Sequence, residues 1–256
     1  MKKILVVFVL LVLCHTSITQ AQNLKRIKIG YPSLSFRQSN VWVAREMGLF
    51  NKYGLEVEPI LFRGGQVATQ ALVSGDPPIV NIGTVVQATI QGHNLALVAA
   101  VETKYDLIVF SRPGITQFEQ LKGKKIGITG FNSATHYASI ILARHLGVEV
   151  QGNGFATSRS YIAGNRDVVK SALKGFVEAI YFVYANKKDA QRVFAKYMRT
   201  NNPEVLEDSY NGYIKSIHKK PYPTMKGIQF MLDVLTPTLP NAKNFKPEQF
   251  VELSFL

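Results

Sequence analysis

The chain has 256 residues, of which 46% are hydrophobic and 18% charged, with a formal net charge of +13. That composition is too apolar for a disordered chain and allows one large domain or two small ones. The single cysteine, Cys14, excludes a disulfide framework and a cysteine-based zinc site, while the basic balance fits nucleic acid, an anionic membrane surface or an anionic ligand without selecting among them.

Lys2 and Lys3 precede an unbroken apolar run at 4–13, and Thr19-Gln20-Ala21 then places small residues where signal peptidase reads. Residues 1–21 therefore read as a secretory signal peptide, since a membrane span needs about 20 apolar residues; an uncleaved anchor is the competing reading. Cleavage after Ala21 removes Lys2, Lys3 and Cys14 and lowers the charge from +13 to +11. The product is a cysteine-free periplasmic or secreted chain that relies on its core alone.

Ile27, Ile29 and Tyr31 alternate with Lys28 and Gly30, which predicts a short strand. Asn40 can cap a helix through Val41, Trp42, Ala44 and Met47, ended by Gly48. Strands are predicted at 55–62, 79–82, 95–101 and 106–111, with helices at 66–73 and 84–90 between them. This βαβαβαβ order implies an α/β fold with a largely parallel sheet covered on both faces. A second unit begins near Pro113, with a helical turn at 118–121, a strand at 124–129, a helix at 133–146 and a strand at 155–161. Helical apolar spacing then runs through 167–184, 189–198, 203–217 and 225–235, so the C-terminal third is helical.

Open α/β sheets bind ligands beyond the carboxyl ends of their strands. Here those ends are rich in glycine and hydroxyl residues: Tyr31, Ser33, Ser35 and Gln38; then Gly64, Gly65 and Gln66; then Gly83 and Thr84; then the 130–135 loop with Asn132, Ser133 and Thr135. Three of these four loops feed a helix start, where free N–H groups and the helix dipole favour an anion. Each loop alone reads equally as caps and turns. Neither a phosphate-loop signature nor a strand-linked GxGxxG is present. His136 is the only histidine beside a candidate loop and reads as a helix-surface residue; Glu102 and Asp106 read as solvated strand ends, with hinge residues the competing reading. The lysine clusters at 122–125, 187–188 and 219–220 are scattered, which argues against a nucleic-acid reader.

Taken together, several segments resemble the periplasmic substrate-binding proteins of nitrate/sulfonate/taurine ABC importers. They are Gly30-Tyr31-Pro32-Ser33-Leu34-Ser35, Trp42-Val43-Ala44-Arg45 running to Gly48-Leu49-Phe50, Tyr53-Gly54-Leu55-Glu56-Val57, Gln70-Ala71-Leu72-Val73-Ser74-Gly75-Asp76 and Leu121-Lys122-Gly123-Lys124-Lys125-Ile126-Gly127. The combination is specific; each piece alone is weak. The stretch from Gln151 to Ala163 and the tail from Asn244 to Leu256 are also similar to the family. The resemblance implies two α/β lobes joined by hinge strands and closing on a ligand. The division would be a signal peptide at 1–21, a first lobe at 22–111, a truncated second lobe at 112–165 and a helical region at 166–256 packing on both. The truncation follows from a departure. About two strand-helix units of the family fall where only Val148, Glu149 and Val150 stand here.

The resemblance implies a non-enzymatic, monomeric receptor for a small anionic organic solute, a sulfonate, taurine or a nitrate-like anion. Its partners would be an ABC permease and its ATPase subunit, with no nucleic acid, metal or cofactor. Ser33, Ser35, Gly65, Gln66, Gly83 and Thr84 would supply first-lobe contacts, and Asn132, Ser133 and Thr135 second-lobe contacts; Arg37 could add a charge. Two alternatives stand beside it: a degenerate paralogue that binds nothing, and an enzyme resembling the thiamine-pyrimidine synthases. The latter carry a Cys-rich iron motif and a reactive histidine, whereas the mature chain here has no cysteine.

Overall fold

The computed structural model describes residues 23–102, 109–129, 134–144 and 153–256. The expected signal peptide, Asp106, Asn132, Ser133 and the 148–150 bridge lie outside the described residues.

Five strands form one sheet: β1 (Lys25–Tyr31), β2 (Leu55–Leu61), β3 (Ile79–Asn81), β4 (Leu95–Ala100) and β5 (Gly154–Ser158), in the order β2-β1-β3-β5-β4. β1 runs parallel to β2 and β3, whereas β5 is antiparallel to both its neighbours, β3 and β4. Helices return the chain for each parallel strand. α1 (Ser39–Glu46) and the short α2 (Leu49–Lys52) lead to β2, α3 (Gly65–Ser74) leads to β3, and α4 (Val85–Ile90) leads to β4. After the sheet's fourth strand come α5 (Ala134–Arg144), α6 (Arg159–Gly164), α7 (Arg166–Ala185), α8 (Lys187–Met198), α9 (Pro203–Ser216) and α10 (Met225–Leu235).

Period-two alternation sends side chains to two cores. Ile79, Ala96, Val98 and Phe155 join Val41, Phe50, Phe176 and Ile180 on one face. Val80, Leu97 and Ala156 join Leu72, Val86 and Leu232 on the other, together with Tyr137 and Ile141 of α5. All of β4 is buried, as a strand covered on both faces must be. Although β4 ends the sheet, its edge is not bare: Glu252 N–H donates to the Leu97 carbonyl at 2.8 Å. Close packing sets two glycines. A Cβ on Gly175 of α7 would stand 2.5 Å from Phe50 Cδ1, and one on Gly154 would strike the Ala99 backbone of β4.

Three expectations need correction. The strand assigned to 155–161 stops at Ser158, whose Oγ accepts the Tyr161 N–H at 3.1 Å and starts α6. That strand also lies inside the sheet of β1–β4, between β3 and β4, not in the sheet of a separate lobe. Residues 124–128 have no regular structure, and 109–111 form no strand. Residues 122–127 are exposed and no described strand runs beside them, so no ladder exists to satisfy their backbone groups.

Candidate functional site

Because β1, β2 and β3 are parallel, their carboxyl ends share one edge of the sheet. The loops that follow are tied together there: Phe62 N–H donates to the Tyr31 carbonyl at 2.9 Å, and Gly64 N–H to the Pro32 carbonyl at 3.1 Å. Ser35 caps a helical turn at Phe36–Gln38, its Oγ accepting the Arg37 N–H at 3.5 Å. Gly65 opens α3, and Gly64 before it has φ of 96°, a value that suits glycine. Thr84 precedes α4; its hydroxyl lies 2.9 Å from that of Thr69, which donates to the Gly65 carbonyl at 2.8 Å.

Between α3 and α4 lies a cavity of about 230 Å³. Gln66 and Thr84 line it together, and Gly65 is bound to its wall through Thr69. Ser33, Ser35 and Gly83 sit on the same strand-end edge but do not line it. Asn132 and Ser133 lie outside the described residues. Thr135 is engaged locally, its Oγ1 accepting the Thr129 N–H at 2.9 Å. The cavity also brings in Gln70, Gln87 and Gln91, which the loop-centred reading missed. Their signal was present as glutamines four residues apart, Gln66 with Gln70 and Gln87 with Gln91. Tyr137 of α5 donates to Gln87 Oε1, and burial pushes the Tyr137 phenol well up.

Behind this edge is a buried polar cluster. Glu102 is not a solvated strand end: its side chain is 1% exposed, and it pairs with Arg37 Nη1. Its Oε2 accepts the Asn153 N–H at 3.2 Å and the Asn153 Nδ2 at 2.6 Å. Burial pushes the Glu102 carboxyl above the ordinary range, against the opposing pull of Arg37 and Asn153. The location explains the burial. The chain leaves β4 through Val101 and returns through Asn153, with Val101 N–H bonded to the Asn153 carbonyl at 2.9 Å. Arg37 thus offers no free charge to a ligand. Beside it, Asn81 Nδ2 donates to Gln38 Oε1 at 2.8 Å, and Tyr213 Oη donates to Asn40.

Among the described residues no group of His, Cys, Asp and Glu could hold a metal ion, and no helix is long and apolar enough to cross a membrane.

Residues 35–139 match the family model described as NMT1/THI5 like. A chain of Brucella abortus (strain 2308) named as a binding protein is 29% identical over 112 residues, which are 44% of this chain and 35% of that one. The chain thus spans about a third of the length of the curated relatives it matches. Among solved structures, a protein of Bordetella bronchiseptica RB50 superposes with a TM-score of 0.72 at 14% identity, covering 90% of this chain and 95% of that one. The periplasmic aliphatic sulphonate binding protein SsuA of Escherichia coli gives a TM-score of 0.60 at 15% identity, covering 89% and 97%. The periplasmic nitrate-binding protein NrtA of Synechocystis PCC 6803 gives 0.56 at 12% identity, covering 88% and 87%. The chain therefore has the periplasmic-binding-protein fold, and its segment 35–139 is similar to the NMT1/THI5-like family.

Proposed function

We propose that the chain is a solute receptor, not an enzyme. It binds a small anionic organic solute, of the sulfonate, taurine or nitrate-like class, and delivers it as a monomer to the permease and ATPase of an ABC importer. The observation that carries this reading is the convergence of three loops at one sheet edge, where Gln66 and Thr84 meet at a cavity beside the N-terminus of α3. The same fold serves the sulphonate- and nitrate-binding proteins named above. Backbone N–H groups at Gly65 and Gly83 and the hydroxyls of Ser33, Ser35 and Thr84 would hold the anion by hydrogen bonds. Asn132, Ser133 and Thr135 would close on it from a short second lobe that begins near 112 and ends before β5, opposite a first lobe built on the sheet of β1–β5, with 166–256 bracing both. Export through cleavage after Ala21 would place the receptor in the periplasm.

Thermal melts of residues 22–256 with ethanesulfonate, taurine or nitrate test this. A ligand at about 100 times its Kd adds about 2.7 kcal/mol, or about 5–10 °C for a chain of this size. One anion should raise the midpoint by that amount. The exposed, strandless residues 122–127 favour one second reading, a paralogue that keeps the fold but binds nothing; a cooperative melt that no anion shifts would establish it over the first.

A further inference from the structure

The polar lining of the cavity between α3 and α4 consists of four glutamine amides, two threonine hydroxyls and the imidazole of His93. Gln66 and Gln70 stand one turn apart on α3, Gln87 lies on α4 with Gln91 just past its end, and the hydroxyls of Thr69 and Thr84 meet between the helices at 2.9 Å. Among the described residues no lysine, arginine, aspartate or glutamate lines it. Gln66, Gln70 and Gln91 are exposed, and their amides bond no other described residue. Gln87 is fixed differently: Tyr137 occupies its Oε1 and leaves the NH2 as a donor. Ala88 and Val73 supply apolar surface. From Gln66 to Val73 the groove is about 10 Å long, at 1.5 Å per helical residue. Its volume of about 230 Å³ holds about eight groups the size of water.

Such walls suit one chemistry. Each primary amide offers donors and an acceptor, so it matches a group that presents both, an amide or a set of hydroxyls. A second charge there would lose hydration and meet no lysine, arginine, aspartate or glutamate among the described lining residues. A bare inorganic anion would leave most of the groove unfilled. Resting on the receptor reading, we infer that the solute is bipartite: a compact anionic head at the strand-end loops, and an uncharged amide or polyol tail laid between α3 and α4.

Isothermal titration calorimetry of residues 22–256 with ethanesulfonate, 2-acetamidoethanesulfonate and acetamide tests the inference. Two net hydrogen bonds to the tail predict a roughly 10- to 30-fold tighter Kd for the amide-bearing sulfonate. The Q70A/Q91A variant, altered only at exposed positions, should lose that increment while its melting midpoint holds. Equal affinity of the two sulfonates would overturn the bipartite solute and leave the receptor reading standing. Binding of acetamide without either sulfonate, or no binding at all, would overturn both. An increment that survives in Q70A/Q91A would overturn the assignment of the groove.

Discussion

Replacing Arg37 with methionine removes one half of a buried ion pair and strands the other. Glu102 is 1% exposed and Arg37 12%. In the variant Glu102 keeps its two bonds from Asn153, both to Oε2, but Oε1 loses its Arg37 partner. Removing one partner of such a pair costs about 3–5 kcal/mol, which lowers the melting midpoint by about 6–20 °C at this chain length. The pH dependence has a definite sign. Burial already holds the folded carboxyl above its ordinary value of 4.5, and loss of Arg37 raises it further. A carboxyl with a raised folded value binds more protons folded than unfolded, so stability falls as pH rises from the ordinary value through the folded one. The deficit of R37M should therefore be larger at pH 8 than at pH 5. In R37M/E102Q a neutral glutamine still accepts from Asn153, so part of the loss returns. Circular dichroism melts of the parent and both variants at the two pH values give the result. A midpoint for R37M within about 2 °C of the parent at pH 8, under about 1 kcal/mol, would refute the reasoning; so would a double variant no more stable than R37M.

Phe155 of β5 stacks on Phe176 of α7 with ring centroids 4.4 Å apart, so F155A should cost about 3–5 kcal/mol; a urea midpoint giving less than about 1 kcal/mol would contradict the central position of β5. G175A drives a Cβ against Phe50 at 2.5 Å and should cost about 1–3 kcal/mol, part of which F50L should relieve in the same assay. Trp42 is the single tryptophan, fully buried and stacked on Tyr197 at 5.1 Å. Its emission should shift to the red on unfolding with the midpoint seen by circular dichroism, and separated midpoints would show that its face of the sheet unfolds independently.

Much of the fold was legible along the chain. Ile27, Ile29 and Tyr31, the apolar 95–101 run and the helical spacing of 167–184 place β1, β4 and α7 within three residues of their observed ends, because face alternation is a local property. Glycines after strands likewise marked the edge where Gly65 and Thr84 sit. The 124–129 strand misled because alternation states only that a segment could pair, not that a neighbour exists. Ser158 misled differently: a cap residue ended the strand before the β-prone Tyr161 and Ile162 could extend it.

What periodicity could not supply was partners. Nothing near Arg37 shows that Glu102, 65 residues on, will take its charge, or that Asn153 will complete the pair from beyond a separate unit. Nothing in 154–158 says that the strand enters between β3 and β4, and nothing in two separate glutamine pairs says that they face one another across a cavity. Local spacing determines which side of an element is apolar. Which elements meet is decided by sheet order and by burial, and these depend on residues far apart in the chain.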